Sequence, residues 1–354
     1  MTRPKILCLI AAKNLGDITI TSTYFRQLVE AGFADRYVVW TRPAMAFLFE
    51  SMPGVRVVTS SFPVGTNRRF GWRELLGMLR AAREIRRLGP VETLDMVGDF
   101  RDRLWARLAG SRRLHYIGWG DGHPYGRIIR NPLGVGRPSV VVPAEVPNIY
   151  ASCQRLVDGL LAGRSAVPRA ASAMRPIRTT AIRVGLHPFA SQACKHWPDE
   201  RWSSLAGRLL EAGIEVSAFG APDQREALGA IFAAHGQRVR MVTTGIPEFA
   251  REIAALDLVV GLDSFSVHMA EHMGTGSVLL LGPNDPSLFS PPHATVLSDS
   301  GGCAAWPCFN VPSCEGGPRE HACIRAIGVD RVADAVFARL RALRGDAAVA
   351  RVPA

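Results

Sequence analysis

Short apolar runs alternate with longer stretches of helical periodicity along this chain, and the alternation restricts the fold more than any other feature. In the second half, the predicted strands are 182–187, 214–219, 239–243, 257–262 and 277–281, and the predicted helices between them are 199–211, 222–234, 247–255 and 264–273. Strands that alternate with helices in this way pair in parallel, and the helices cover the sheet. The pattern therefore predicts an α/β fold.

The first half has the same organisation. Its predicted strands are 5–12, 37–41, 55–59 and 93–97, and its predicted helices are 19–30, 73–88 and 101–108. Gly and Pro recur through 118–147, which predicts a long loop, and loops of that length are usually functional. A helical pattern at 148–162 closes the half.

The chain has 354 residues, enough for two medium domains. Residues 166–180 are rich in Arg and Ala with little apolar periodicity, so we predict a linker there. The predicted domains are 1–165 and 181–327, two Rossmann-like halves that face each other across a cleft. A last segment, 328–354, comprises a helix and a tail. That helix could pack back on the N-terminal domain through Val332, Val336, Leu340 and Leu343.

Composition sets the broad class. Hydrophobic residues make up 47% of the chain, which suffices for large cores. No apolar run approaches the ~20 residues of a membrane-spanning helix. Residues 6–12 form a short run that Lys13 ends, which predicts a buried strand rather than a signal peptide. Isolated cysteines such as Cys8 suit a reducing compartment, so we expect a cytoplasmic protein.

Charge is unevenly distributed. Residues 1–180 carry 27 Lys and Arg against 13 Asp and Glu, a net of +14, whereas residues 181–354 have a net of −3. The basic half indicates an anionic partner: a phosphorylated or carboxylated substrate, a membrane surface or nucleic acid. A general preference for Arg over Lys is the alternative explanation.

A loop of unusual composition follows the predicted strand 182–187. It begins at His187 and contains Lys195 just before Pro198 opens the next helix. Open α/β sheets bind ligands at the carboxyl ends of their strands, where this loop lies. Bulky His and Trp neighbours and the absence of G-x-x-x-x-G-K-[ST] exclude a Walker phosphate loop. An ordinary loop with a solvated lysine is the alternative.

A second polar group follows the strand 257–262. Asp263 and Ser264 stand where a helix cap is expected, and His268 lies about one turn further along, on the side of Ser264. Free N–H groups behind such a cap can bind phosphate. The alternative is a plain N-cap with a core histidine.

The first strand is followed by a tight turn that contains Lys13, Gly16 and Asp17. A carboxylate here could serve as a general base at the mouth of the cleft. A helix N-cap is the competing interpretation of Asp17.

The helix predicted at 73–88 has a basic side. Arg73 and its neighbours Arg68 and Arg69 precede four further arginines, Arg80, Arg83, Arg86 and Arg87. Its leucines, Leu75, Leu76, Leu79 and Leu88, are expected to face the core. The arginines form either a solvated face or a binding stripe for an anionic glycolipid at the inner leaflet.

Four cysteines cluster near the C-terminus, at Cys303, Cys308, Cys314 and Cys323. Clustered cysteines in a cytosolic protein suggest a Zn or Fe site with four thiolates. Because no C-x-x-C pair occurs, free thiols are the alternative.

Five motifs in order resemble glycosyltransferase family 9, the ADP-heptose:lipopolysaccharide heptosyltransferases. They are Leu15-Gly16-Asp17 with Thr21, Asp95-Met96-Val97-Gly98 followed by Arg107-Leu108-Ala109-Gly110 and Gly118, His187-Pro188 with Lys195-His196-Trp197-Pro198 and Trp202, Asp263-Ser264 with His268, and Gly282-Pro283-Asn284-Asp285-Pro286. The resemblance covers nearly the whole chain.

The resemblance implies a GT-B fold and an inverting transfer from a nucleotide-sugar, with the donor on the C-terminal domain and the acceptor on the N-terminal domain. Asp17 would be the general base, and Lys195 would neutralise the departing diphosphate, helped by N–H groups at Ser264 and by His268. The predicted donor-binding residues are His187, Ser191, Lys195, Thr244, Asp263, Ser264, Phe265, His268, Gly282 and Pro283. The predicted acceptor-binding residues are Lys13, Arg68, Arg69 and Arg73.

Since Lys195 can stand in for a divalent ion and the chain has no D-x-D motif, catalysis is expected to need no cofactor. A structural Zn or Fe in the cysteine cluster fits a branch of the family that holds iron with four cysteines. The expected partners are a nucleotide-sugar donor, an anionic glycolipid acceptor and the inner-membrane surface, and no nucleic acid is expected.

Two residues depart from the family pattern, because Phe265 and Phe189 occupy positions where the family commonly has Gly. Phe265 narrows the pocket or stacks on the nucleotide, so the identity of the donor sugar stays open. A protein or small-molecule acceptor and a different nucleotide-sugar are alternatives, as is a non-catalytic basic protein that binds membranes or nucleic acid. A Rossmann oxidoreductase requires G-x-G-x-x-G after the first strand, where only Gly16 occurs.

Overall fold

The computed structural model describes residues 4–62, 71–89, 91–97, 100–123, 138–162, 174–177, 181–309 and 311–345. The chain divides into two compact units, Met1–Ala170 and Ala171–Ala354. The predicted linker, 166–180, spans this division, but only 174–177 of it lies within the described residues.

The first unit contains a six-stranded parallel sheet in the order β3-β2-β1-β4-β5-β6. Its strands are β1 (Ile6–Ala11), β2 (Arg36–Thr41), β3 (Val55–Thr59), β4 (Val91–Asp95), β5 (Ser111–Trp119) and β6 (Val140–Val142). Its described helices are α1 (Leu15–Glu30), α2 (Phe47–Glu50), α3 (Trp72–Arg87), α4 (Phe100–Leu108) and α5 (Ile149–Leu161). This strand order is the Rossmann order.

The second unit repeats the topology with a sheet in the order β12-β11-β10-β7-β8-β9. Its strands are β7 (Arg183–His187), β8 (Glu215–Gly220), β9 (Val239–Thr243), β10 (Leu258–Leu262), β11 (Gly276–Leu281) and β12 (Thr295–Ser298). Its described α-helices are α6 (Asp199–Glu211), α7 (Arg225–Ile231), α8 (Ile246–Ala254), α9 (Phe265–Met273), α10 (Pro286–Phe289), α11 (Ala322–Arg325) and α12 (Val329–Arg344). The predicted α/β class is confirmed.

Three strands were not predicted from the sequence. β5 was not predicted, because it starts with Ser111, Arg112 and Arg113, which remain at least partly exposed at that end of the strand. β6 lies inside the predicted loop 118–147 and has only three residues. β12 was also missed, since its four residues are largely half-buried and carry little apolar signal.

One large apolar cluster forms the core of the second unit. Strand residues such as Leu186 and Val260 pack there against the last helix, α12. The predicted apolar positions of α12 all belong to this cluster: Val332, Val336, Leu340 and Leu343. The backbone N–H of Ile177 also bonds the carbonyl of Leu343 at 3.0 Å, which ties the start of the second unit to its last helix. Packing of α12 on the first unit stays a prediction.

No helix in the described parts of the chain is both long and apolar enough to cross a membrane.

Candidate functional site

The carboxyl ends of β7 and β10 lie side by side in the second sheet. Gly261 of β10 pairs in register with His187, the last residue of β7. The loop after β7 carries Lys195, and the loop after β10 begins with Asp263. The topology therefore places both predicted polar groups at one edge of the sheet, the edge where open α/β sheets bind ligands.

Lys195 and Asp263 form an ion pair at this edge. Lys195 Nζ lies 2.8 Å from Asp263 Oδ2 and donates a second hydrogen bond to the Asp263 carbonyl at 3.2 Å. The lysine side chain is 11% exposed and the aspartate side chain 9%, so the pair is almost buried. Asn284 Nδ2 donates a further hydrogen bond to the same carboxylate oxygen.

The electrostatics of the pair favour its charged form. Burial by itself would raise the pKa of Asp263, but the charge and hydrogen bond of Lys195, with smaller contributions from His268 and Asn284, bring it below its usual value. Asp263 therefore stays ionised and holds the ammonium group in place. The ammonium remains a compact positive charge that an incoming phosphate can contact.

The N-terminus of α9 begins directly after this pair. Ser264 occupies the N-cap position, but its side chain makes no cap hydrogen bond; its hydroxyl instead lies 3.1 Å from the Ser266 hydroxyl. The prediction that Asp263 or Ser264 caps the helix is therefore wrong for the Ser264 side chain. First-turn N–H groups without a side-chain cap are a favourable site for an anion.

His268 and His187 are neutral at physiological pH. Burial lowers the pKa of His268 to about 4; Asp263 opposes this shift, and Lys195 adds to it. Burial also lowers the pKa of His187 to about 4, and its Nδ1 has no hydrogen-bond partner within the described structure. His268 can therefore offer a hydrogen bond to a diphosphate, but it does not add a positive charge.

A row of aromatic rings flanks the polar pair. The ring of Phe265 is tilted 31° against that of Phe249 at a centroid distance of 5.4 Å. Phe249 contacts the ring of His187 edge-on at 5.7 Å, and His187 in turn contacts Phe189 at 6.3 Å. The two phenylalanines that depart from the family pattern thus stand at opposite ends of one aromatic row.

Phe189 fits because its neighbour Gly220 has no side chain. A Cβ atom on Gly220 would lie 2.9 Å from Phe189 Cε2, closer than real contacts allow. The glycine at the end of β8 thereby makes room for the bulky ring, which is half-buried at the ligand edge.

The tryptophans of the Lys195 motif are structural. Trp197 and Trp202 are buried and meet edge-on, with ring centroids 5.1 Å apart. Trp197 Nε1 donates to the carbonyl of Ile327 at 2.7 Å, which anchors the loop against the chain just before α12. Lys195 ends a short 3-10 turn that directly precedes this anchor, so the motif fixes the position of the lysine.

The remaining predicted donor residues differ in position. Ser191 is exposed in the loop after β7. Thr244 follows β9, and its buried Oγ1 has no hydrogen-bond partner among the described residues. The carbonyl of Gly282 accepts a hydrogen bond from Trp306 Nε1 at 2.8 Å, and that of Pro283 accepts one from the Cys308 N–H at 3.0 Å. These two carbonyls therefore hold the cysteine-containing loop.

Asp17 lies in the first turn of α1, half-buried beyond the end of β1. The helix starts at Leu15 with Asn14 in the N-cap position, so the N-cap interpretation of Asp17 is wrong. Asn14 Nδ2 donates to Asp17 Oδ2 at 3.3 Å. Asp17 thus stands at the carboxyl edge of the first sheet, where open α/β sheets bind ligands, and its role as a general base stays a prediction.

Lys13 is held by an acidic partner that the sequence analysis did not identify. Its Nζ lies 3.0 Å from Asp102 Oδ2, and both side chains are nearly buried. Lys13 therefore belongs to an internal ion pair, although it stands at the ligand edge of the first sheet. Arg73 is exposed at the start of α3, whereas Arg68 and Arg69 lie outside the described residues.

The four C-terminal cysteines are partly or fully buried, and the described structure forms no disulfide between them. Burial raises the pKa of Cys323 to about 11, and Cys308 and Cys314 also act to raise it. Across the described residues, no group of three or more His, Cys, Asp and Glu side chains is arranged to hold a metal ion. The predicted structural Zn or Fe in this cysteine cluster stays a prediction.

Asn284, Asp102 and Phe249 were not among the predicted site residues. Asn284 stands in the Gly282–Pro286 motif, and that motif was the available signal for it. Asp102 and Phe249 carry no such signal, because each reaches its partner only through the packing of a helix.

Comparison with known proteins gives a consistent result. Residues 166–315 match the model of glycosyltransferase family 9 (heptosyltransferase). Over 95 residues the chain is 28% identical to lipopolysaccharide heptosyltransferase 1 of Escherichia coli strain K12, a match that covers 27% of this chain and 30% of that relative. The chain therefore matches less than a third of the length of this curated relative.

Two solved structures share the fold over almost the whole chain. E. coli ADP-heptose lps heptosyltransferase II has a TM-score of 0.65 and 20% identity, over 96% of this chain and 100% of that one. E. coli heptosyltransferase WaaC with ADP has a TM-score of 0.69 and 16% identity, over 94% of this chain and 99% of that one.

The two parallel sheets have the GT-B fold of these solved heptosyltransferase structures. Residues 166–315 match the family 9 model, so the resemblance predicted from the motifs is confirmed over that stretch.

Proposed function

We propose that this protein is an inverting, metal-independent glycosyltransferase that moves heptose from ADP-heptose to a hydroxyl of a lipopolysaccharide core or a related anionic glycan. The observation that carries the proposal is the buried Lys195–Asp263 pair beside the uncapped N-terminus of α9. This arrangement offers a fixed cation and free N–H groups at one point, which is what a diphosphate leaving group needs.

The donor site has distinct polar and apolar parts. Lys195 and the first N–H groups of α9 are proposed to contact the diphosphate, with Ser264 and neutral His268 as further hydrogen-bonding groups. The aromatic row between Phe189 and Phe265 and the unpartnered Oγ1 of Thr244 are proposed to line the nucleoside side. The ADP bound in the structure of the E. coli relative supports an adenine nucleotide.

In the proposed reaction, the acceptor oxygen attacks the anomeric carbon of the sugar from the face opposite the diphosphate. A new carbon–oxygen bond forms as the bond to the diphosphate breaks, and the configuration inverts. The acceptor proton passes to the Asp17 carboxylate, and the nucleoside diphosphate departs with the negative charge that Lys195 offsets. Because Lys195 supplies the positive charge, no metal ion is required in this scheme.

The acceptor is proposed to be anionic because the first 180 residues have a net charge of +14. Among the predicted acceptor residues that the structure describes, Arg73 on α3 is exposed. Lys13, Arg68 and Arg69 remain candidates. A glycolipid acceptor lies in a membrane, so we place the enzyme in the cytoplasm, peripherally at the inner membrane. The lipopolysaccharide role of the curated relative supports this acceptor class.

The test is a panel of nucleotide-sugars incubated with the full chain and a delipidated lipopolysaccharide core, analysed by mass spectrometry. We expect one heptose mass to be added to the core in the presence of ADP-heptose. Transfer of another sugar would overturn the donor assignment, and transfer to a protein or small aglycone would overturn the acceptor assignment. If no pair of donor and acceptor gives transfer, a non-catalytic basic binding protein is the better description.

Phe265 supports one alternative, in which its ring faces the sugar instead of the nucleoside and the donor carries a sugar smaller than heptose. The side chain of Phe265 occupies a position where the family commonly has Gly, and its ring packs on Phe249 rather than leaving the site open. A narrower pocket would suit a smaller sugar than heptose. Phe265→Gly should then increase the use of ADP-heptose relative to the smaller donor in the same panel.

A further inference from the structure

Exposed apolar residues concentrate on two neighbouring helices of the first unit. Of the six large hydrophobic side chains exposed among the described residues, four lie on α3 and α4: Trp72 at 80%, Leu76 at 49%, Leu104 at 60% and Leu108 at 40%. We call these four side chains the apolar patch. Isolated exposed apolar residues are ordinary, but a group on one surface marks an interaction site.

The two sides of α3 have opposite characters. Its inner side buries Met78, Ala81, Ala82 and Ile85 in the core. On its outer side, Trp72 and Leu76 are followed at helical spacing by three exposed arginines, which we call the basic stripe: Arg80, Arg83 and Arg87. The prediction that the leucines of this helix face the core is therefore wrong for Leu76.

α4 continues this surface. It contacts α3, and its residues Ala106 and Ala109 are buried in the same apolar cluster as the inner side of α3. Since both helices bury their inner sides in one cluster, their outer sides face away from the sheet in the same direction. Leu104 and Leu108 lie one turn apart on the outer side of α4, and Arg107 is exposed beside them.

The described acidic residues of these helices do not neutralise the outer surface. Glu84 pairs with Arg56 at 2.6 Å, and Asp102 pairs with Lys13 at 3.0 Å. Glu74 folds back to the start of α3, where its carboxylate lies 2.6 Å from the position that a Cβ on Gly71 would take. The surface therefore combines exposed apolar side chains with uncompensated positive charge.

We propose that the apolar patch and the basic stripe dock this protein onto an anionic phospholipid bilayer. Trp and Leu enter the interface between headgroups and acyl chains, while arginines remain at the level of the lipid phosphates. Nucleic acid would use the arginines but leave the leucines unpartnered, and self-pairing of this surface with a second copy would set arginine against arginine. The inference rests on the proposed function only in that a glycolipid acceptor lies in such a membrane.

The first test measures binding of the full chain to vesicles of phosphatidylcholine with and without phosphatidylglycerol, by co-flotation. We expect binding that requires phosphatidylglycerol. Arg80→Gln/Arg83→Gln/Arg87→Gln should weaken it on the order of 100-fold, since each arginine near an anionic surface contributes about a factor of five. Trp72→Gln/Leu104→Gln should weaken it by about tenfold, because their apolar area no longer enters the bilayer.

Matched variants on the second unit serve as controls. Val311 is 78% exposed, so Val311→Gln removes a comparable exposed apolar side chain. Arg225→Gln/Arg238→Gln/Arg341→Gln removes the same number of exposed charges. Absence of binding by the unaltered chain, or equal losses in the control variants, would overturn the proposal. So would a change of oligomeric state in Trp72→Gln/Leu104→Gln by analytical ultracentrifugation, because a second copy would then be the occupant.

A second measurement reports insertion directly. All seven tryptophans lie in the described part of the chain, and Trp72 is the exposed one. Acyl-brominated lipids in the anionic vesicles should quench part of the fluorescence of the unaltered chain and much less of that of Trp72→Gln. Equal quenching would place Trp72 outside the bilayer and overturn the assignment. These assays contain no sugar donor, so failure of the transfer reaction does not affect them; Trp72→Gln/Leu104→Gln should retain any activity on a water-soluble acceptor.

Discussion

Protonation of His268 gives the sharpest quantitative prediction for the donor site. The imidazole is buried beside the Lys195–Asp263 pair, and burial lowers its pKa from 6.5 to about 4. Since one pKa unit corresponds to about 1.36 kcal/mol, this difference is worth roughly 3 kcal/mol of unfolding free energy. The contribution is complete above pH 6.5, where folded and unfolded states are both neutral. It is lost as the pH falls from 6.5 to about 4, because the unfolded chain takes up the proton first.

The assay is an NMR titration of the imidazole resonances in protein labelled at histidine. The chain has nine histidines, and His268→Gln identifies the resonance of His268 by its disappearance. Glutamine keeps a hydrogen-bonding side chain but does not titrate. We expect the His268 resonance to titrate with a midpoint near 4. Between pH 6.5 and 5, the free energy of unfolding measured in urea should fall by about 2 kcal/mol less for His268→Gln than for the unaltered protein.

His196→Gln, at an exposed position in the Lys195 loop, is the matched control for unfolding. A titration midpoint near 6.5 for His268 would refute the reasoning. So would an identical pH dependence of unfolding in His268→Gln and the unaltered protein. A midpoint near 6.5 would mean that the imidazole is half protonated at pH 6.5, so Lys195 would not be the sole cation for the diphosphate at that pH or below.

The other predictions concern transfer, stability and acceptor binding. Asp17→Asn should lower the transfer rate by ~10²–10⁴-fold without changing donor affinity in calorimetry, as expected for a lost general base; full activity would exclude that role. Lys195→Ala should weaken donor binding and destabilise the protein by about 3–5 kcal/mol, because Asp263 is left buried and unpaired. Adding Asp263→Asn should restore most of the stability but not the binding, and unchanged donor kinetics would place the lysine outside the site. Gly282→Ala should lower stability by about 1–3 kcal/mol in thermal unfolding, since its Cβ would lie 3.0 Å from Ile324 Cβ; an unchanged midpoint would contradict this packing. Added salt should raise the KM of an anionic acceptor more than that of the donor, and equal effects would favour a neutral acceptor.

Much of the fold was predictable because strand and helix periodicities are local properties of the sequence. Apolar runs such as 258–262 are long enough to identify a buried strand, and the alternation with helices required parallel pairing. β5 escaped prediction because Ser111 to Arg113 begin it with polar residues, and only its pairing beside β4 makes those residues part of a strand. Local pattern carries no information about such a neighbour.

For the candidate site, the sequence by itself determined which residue types follow which strands. Lys195, Asp263 and Asp17 were all located in this way, because polar residues after an apolar strand lie at the ligand edge of the sheet. The assignment of Lys195 and Asp17 to particular chemical roles came from the family resemblance, and those roles stay predictions.

Only the tertiary structure decided which of these groups meet. The ion pair of Lys195 with Asp263 joins residues 68 positions apart, and it exists because β7 and β10 are neighbours in the sheet. The neutral state of His268 likewise follows from burial, which depends on the whole packed unit. The exposure of Trp72 and Leu76 is also a tertiary property, because a helix buries the side that its neighbours cover. The sequence alone did not show which side of α3 is buried. In the structure, the buried side consists of Met78, Ala81, Ala82 and Ile85.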